Sequence, residues 1–194
     1  ISSMHILSGS TAQNIFANVP ETATGSLGLT PYANGSETVG ETIYIDYKGA
    51  LTLGGTYIFT ADTEIKGLSV VSNSNITIAK DVTVAMPTVG YISIASGATL
   101  TNNGTLNVKV TASQSITGKL VNKGTLSTQS TSYNYYQTIA STGMIINEES
   151  ATWDLGCRLN NSGKIVNHGE LKQTYSSSYF QYLGNVYSTV PITF

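Results

Sequence analysis

The phrase GKLVNKGTL at Gly118–Leu126 returns 45 positions later as GKIVNHGEL at Gly163–Leu171. Aligned on its asparagine, the phrase has shorter echoes. LTNNGTL at Leu100–Leu106 lies 20 positions before LVNKGTL at Leu120–Leu126, IINEESA at Ile145–Ala151 lies 25 after it, and IVNHGEL at Ile165–Leu171 is a further 20 on. Asn102, Asn122, Asn147 and Asn167 thus recur at coil-length intervals, so a 45-residue unit reads as two coils. The segment after the phrase recurs too: SYNYYQTI at Ser132–Ile139 resembles SSSYFQYL at Ser176–Leu183. Upstream, ITIAKDVTV at Ile76–Val84 matches ISIASGATL at Ile92–Leu100 in apolar pattern, at a spacing of 16.

Within each unit the apolar positions alternate with polar ones, as at Ile76/Ile78, Val82/Val84, Ile92/Ile94 and Leu106/Val108/Val110. A period of two marks strands with one buried face, and excludes helical repeats of similar length. Thr, Val, Ile and Tyr dominate, and Asn-Gly, Lys-Gly and His-Gly pairs fall between strands, where a positive φ is expected. Two all-β architectures fit. One is a right-handed parallel β-helix, or β-solenoid, with coils of about 16–25 residues; each coil buries its inner face by stacking on the next. The other is an antiparallel β-sandwich or jelly roll. The recurring asparagine favours the solenoid: stacked coils lie about 4.8 Å apart, so equivalent side-chain amides can bond along the stack as a ladder at the turns.

Residues 1–45 lack the phrase. They are expected to form an N-terminal cap or irregular β segment, with residues 46–194 as the solenoid, because an open first coil exposes a sheet edge and the core. The longer coil carries STSYNYYQ (Ser130–Gln137), which is expected to protrude. The chain ends part-way through a repeat, as a fragment of a longer array would, unless NVYSTVPITF is a closing strand.

Only 10% of residues are charged, while Ser and Thr make up about a quarter of the 194. Such a composition is typical of secreted and surface proteins. The net charge is −2 and the basic residues are scattered singly, which gives no electrostatic footprint for nucleic acid. No apolar run approaches the roughly 20 residues that a membrane-spanning helix needs.

Catalytic chemistry finds little to stand on. Polysaccharide-cleaving β-helices need converging carboxylates. Asp62 and Glu64 share a strand face and are the best local pair; Glu148 and Glu149 are adjacent and read as a solvated turn. Asp154 and the sole arginine, Arg158, read as a surface ion pair. His5 and His168 are the only histidines, and His168 occupies the turn position that is Lys123 in the sister phrase. Cys157 is alone and reads as a small buried hydrophobe. Neither a phosphate loop nor an acidic calcium loop is present, so no cofactor or metal is expected. Four Asn-x-Ser/Thr sequons, at Asn34, Asn75, Asn103 and Asn160, match chance for this composition. An ice-binding Thr-x-Thr ladder is not supported, because Thr99/Thr101 has no counterpart in the next coil.

The remaining enrichment is aromatic. Tyr133, Tyr135 and Tyr136, then Tyr175, Tyr179, Phe180, Tyr182 and Tyr187, cluster in the repeated variable segment. Tyr with Ser and Asn makes a rigid amphipathic contact surface, and aromatic faces stack on sugar rings; the same rings could instead stack on one another along the solenoid. Tyr133, Tyr135, Tyr136, Tyr179, Phe180 and Tyr182 are the candidate ligand-binding residues.

The phrases GATLTNNGTL, GKLVNKGTL and GKIVNHGEL resemble coils of β-helical bacterial surface proteins: adhesins, autotransporter passengers and adhesin-like repeat proteins. The resemblance covers about residues 70–190. It implies an extracellular or cell-surface, non-catalytic module with a structural or adhesive role, whose partner is a glycan or a host protein. Two other roles stay open. One is a fibre, sheath or phage-spike subunit that self-associates through sheet edges or solenoid ends. The other is a polysaccharide lyase or hydrolase.

Overall fold

The computed structural model describes residues 50–174 and 183–194 with their side chains, and the backbone alone of the strands Ser3–Leu7, Leu29–Pro31, Ala33–Asn34, Glu37–Thr38 and Gly40–Asp46. Among these residues every regular element is a strand. The chain winds through about six turns of a parallel β-solenoid, and each turn contributes one strand to each of three parallel ladders. Among the described residues of the repeat region there is no antiparallel sandwich.

The first ladder stacks residues 50–53, Gly67–Val70, Ile92–Ile94, Ser115–Ile116, Tyr136–Ile139 and Arg158–Asn161. The second stacks residues 56–59, Asn75–Ile78, Thr99–Asn102, Lys119–Asn122, Met144–Asn147, Lys164–Asn167 and Val186–Ser188. The third stacks Thr63–Glu64, Thr83–Met86, Thr105–Lys109, Thr125–Gln129, Thr152–Gly156 and Glu170–Gln173. The strand Ala50–Phe59 joins the first two ladders.

Alternation sends every second side chain inward, and the register aligns these into ranks. One rank runs Tyr57, Ile76, Leu100, Leu120, Ile145 and Ile165. Another runs Val84, Leu106, Leu126, Trp153 and Leu171. All of these are essentially inaccessible to solvent. A lone coil could not bury them, so stacking itself makes the core.

The edge of the first coil is covered. Gly40–Asp46 pairs antiparallel with the first part of Ala50–Phe59, Ser3–Leu7 pairs with Gly40–Asp46, and Leu29–Pro31 pairs with residues 57–59.

The register corrects two expectations. Ile76 stacks on Leu100 and Leu68 on Ile92, each 24 residues apart, so the 16-residue spacing is not a coil. ITIAKDVTV turns from the second ladder to the third, whereas ISIASGATL turns from the first to the second. What the two stretches share is the corner. In each, the fourth turn residue donates its N–H to the carbonyl of the first (Val82 to Ala79, Ala98 to Ala95), and the third has positive φ (Asp81 63°, Gly97 74°).

The second correction concerns the glycine that closes the repeated phrase. Gly104, Gly124 and Gly169 do not have positive φ. They are required for close approach: a Cβ at Gly124 would lie 2.0 Å from the Gly104 carbonyl oxygen of the preceding coil, and one at Gly169 would lie 2.3 Å from that of Glu148.

Candidate functional site

The four asparagines stand at the inward-facing end of the second-ladder strands, in mutual register and wholly buried. They lie within the core, as the last residue before the corner, and not in the solvated turn. Asn102 Nδ2 donates to Asn122 Oδ1 (2.9 Å), Asn122 Nδ2 to Asn147 Oδ1 (2.7 Å), and Asn147 Nδ2 to Asn167 Oδ1 (2.8 Å). The second proton of each amide goes to a backbone carbonyl opening the next third-ladder strand: Thr125 at 2.8 Å, Thr152 at 2.9 Å and Glu170 at 3.0 Å. Asn167 Nδ2 ends the chain of bonds on Ser188 Oγ (3.0 Å). At the other end the rank continues into Ile78, which offers no donor, and Asn102 Oδ1 is buried without a partner. A hydrogen-bonded file so enclosed is structural; it offers nothing to a ligand.

Tyr133, Tyr135 and Tyr136 lie at the corner between the third and first ladders. Residues 130–135 form a loop held by its own hydroxyls. Ser130 Oγ donates to the Ser132 carbonyl (3.1 Å) and accepts from the Ser132 N–H (3.3 Å); Ser132 Oγ accepts from the Asn134 N–H (3.3 Å). Ser-centred turns of this kind fix a short loop locally. Tyr133 and Tyr135 project from it, 56% and 40% exposed, and Tyr136 opens the next first-ladder strand, half-buried. Tyr179, Phe180 and Tyr182 lie outside the described residues, as does Tyr175. Tyr187 sits in the second ladder, where its ring meets His168 edge-on at 6.2 Å between centroids.

Arg158 is in strand register with Tyr136. Its guanidinium lies over two rings, 4.5 Å from the centroid of Tyr133 and 5.3 Å from that of Tyr136. It does not pair with Asp154. Asp154 faces outward on the third ladder and accepts a hydrogen bond from Thr174 Oγ1; the chain turns a corner at Gly156–Cys157 before reaching Arg158. Four residues of separation across a corner place the two charges on different faces.

Beside this aromatic corner the outer face of the first ladder is hydroxyl-rich. Its central column runs Thr52, Ser69, Ser93, Ser115, Thr138 and Asn160. A groove of about 300 Å³ lies at the third-ladder side of the same corner, lined by Met86, Pro87, Lys109, Gln129, Ser130 and Thr131.

The carboxylates are dispersed. Asp62 accepts the Thr83 N–H (2.8 Å), and Glu64 is exposed beside it. Glu148 opens the four-residue corner that also holds Glu149. Glu170 pairs with Lys172 at 3.0 Å. Among the described residues no three His, Cys, Asp or Glu side chains converge on a metal-sized site. His168 Nδ1 lies 2.9 Å from Thr189 Oγ1.

Cys157 is fully buried, and burial pushes its thiol up to about 11 against hydrogen bonds from Thr128 and the Gln137 backbone that pull the other way. It is an inert thiol, since the thiolate is the reactive species. Thr128 also accepts from Trp153 Nε1 (3.1 Å).

One feature escapes phrase matching. The Arg158–Tyr contact depends on a register set by unequal coil lengths, so no local motif signals it. An outward threonine rank, Thr83, Thr105, Thr125 and Thr152, lies on the third ladder beside Ala85, Asn107, Ser127 and Asp154. No protein-family model matches the chain, and no match was found among curated proteins or solved structures.

Proposed function

We propose that this β-solenoid is a non-catalytic adhesive module, secreted or displayed at a cell surface, which binds glycan through the tyrosine-bearing corner of its first ladder. The observation that carries this reading is the presentation of Tyr133 and Tyr135 on a hydrogen-bonded loop beside the Thr/Ser/Asn column. Exposed rings held before binding lose little entropy when a ligand arrives, and hydroxyl and amide groups match sugar hydroxyls. The likeness of the coils to those of adhesins and autotransporter passengers supports a location outside the cell, as does the low charge.

The test replaces Tyr133 and Tyr135 with Ala and compares the variant with wild type on a glycan array. Wild type is expected to bind a subset of glycans and the variant to lose them. A wild type that binds nothing, or a variant that binds equally well, refutes the reading. A second role, self-association, is favoured by Tyr187, which faces outward from the second ladder beside His168 and is 63% exposed. Sedimentation velocity tests it: a monomer at all concentrations up to about 100 μM, where even a weak association of high-micromolar Kd would register, counts against it.

A further inference from the structure

We infer that the glycan bound at this corner is anionic, carrying a carboxylate or sulfate, and that Arg158 is the residue that reads that charge. The inference rests on the glycan-binding role proposed above and names its ligand class. Arg158 is the only arginine of the chain. Its guanidinium stands over the Tyr133 and Tyr136 rings, at 4.5 and 5.3 Å. A cation–π contact places no acceptor on the guanidinium N–H groups, which stay available to a planar anion. Among the described residues no carboxylate lies within ion-pair distance of it, and none accepts a hydrogen bond from its guanidinium. A half-buried cation with unspent donors, steadied by two rings, is a receptor for a bidentate oxyanion.

The surroundings agree. The described outer positions of the first ladder carry hydroxyls, amides, small residues and Tyr91, with no acidic group to compete for the guanidinium. Tyr133 is thus positioned to contribute twice, with one part of its ring under Arg158 and its exposed remainder toward a sugar. Tyr136 donates its backbone N–H to Ser113 Oγ (3.3 Å), which fixes the rung that neighbours Arg158.

The experiment uses the full chain and three immobilised probe sets of matched length: uronate-containing oligosaccharides, sulfated oligosaccharides and neutral oligosaccharides. Wild type is compared with Arg158→Gln and Arg158→Lys, with far-UV circular dichroism and Trp153 emission as fold controls. Wild type should retain one or both anionic sets and not the neutral set. Arg158→Gln should lose the anionic set by about tenfold or more, since a hydrogen bond between charged groups is removed, and Arg158→Lys should fall between. The uronate and sulfate arms identify the anion. Equal retention of neutral and anionic probes, or an Arg158→Gln variant that binds as wild type does, overturns the assignment while leaving glycan binding by the tyrosines intact. Binding to none of the three sets overturns both.

Discussion

Replacing Asn122 by leucine removes three hydrogen bonds from the core while nearly preserving volume. Asn122 Oδ1 accepts from Asn102, and Asn122 Nδ2 donates to Asn147 Oδ1 and to the Thr152 carbonyl. All four asparagines are fully buried, so water cannot replace the lost partners. Each buried bond contributes about 1 kcal/mol net, and each orphaned group costs about 1–3 kcal/mol. The expected loss is about 3–5 kcal/mol. Asn102→Leu offers an internal control with the same chemistry. It removes two bonds, to Asn122 and to the Thr125 carbonyl, but it also deletes the Oδ1 that has no partner, and it packs leucine against Ile78. Its cost is expected to be about 1–2 kcal/mol. Urea titrations followed by circular dichroism measure both; with a slope of about 2 kcal/mol per molar, Asn122→Leu should lower the midpoint by about 1.5–2.5 M. Equal losses for the two variants, or a loss under about 1 kcal/mol at Asn122, would refute the claim that the continuity of the amide file stabilises the stack.

Three further outcomes can be checked in the same way. Gly124→Ala should destabilise by about 3 kcal/mol, the upper range for overpacking, because its Cβ meets the rigid backbone of the preceding coil at 2.0 Å; Lys123→Ala, one residue away and exposed, should be near neutral in the same urea assay. Trp153→Phe should cost about 1–3 kcal/mol through the Thr128 hydrogen bond and the volume lost from a fully buried site, read by thermal melting. The Cys157 thiol is held protonated in the fold, from 9.0 up to about 11, so above about pH 9 the unfolded chain gives up that proton first. The native state then binds more protons than the unfolded state, and stability falls as pH rises from about 9 to about 11. Cys157→Ala should flatten that part of the stability profile relative to wild type. A native thiol that reacts with a disulfide reagent at about pH 8 as fast as in urea would contradict the burial.

The repeated phrase made the fold legible because the quantity it encodes, the distance from one rung to the next, is also what sets strand register. Asn102, Asn122, Asn147 and Asn167 are in register in the second ladder at their sequence offsets of 20, 25 and 20. Where the phrase is absent, pattern alone misleads. Ile76–Val84 and Ile92–Leu100 look alike because both bend around a left-handed residue, Asp81 or Gly97, and not because they stack. Glycine is ambiguous in the same way. Gly97 is needed for its φ and Gly124 for the space that a missing Cβ leaves, and nothing in the letters distinguishes them. The candidate site was legible in part: a tyrosine cluster is a compositional fact, whereas its arginine arrives from the following rung, and the ion pair with Asp154 looked natural only along the sequence.

The corner between the third and first ladders carries a different burden from the one that holds the asparagines. At the asparagine corner the chain passes from strand to strand through the tight Lys123–Gly124 or His168–Gly169 pair, or through the four residues Glu148–Ala151, with an amide file behind; carbonyls of the neighbouring coil lie against Gly124 and Gly169. The amide file persists there even where the corner is longer: Asn147, followed by the four residues Glu148–Ala151, keeps its bonds to Asn167 and to the Glu170 carbonyl. At the tyrosine corner the coil leaves the third ladder at Gln129 and rejoins the first at Tyr136, and the intervening residues satisfy one another through Ser130 and Ser132. Length and side chain can vary there without touching the inner ranks. Rung spacing then converts that freedom into geometry: whatever the loop presents lies one strand spacing, about 4.8 Å, from the residue at the same position of the next coil. Arg158 reaches the tyrosines for that reason. A solenoid can thus evolve a binding surface by altering one corner of successive coils, while the opposite corner holds the register that brings those alterations together.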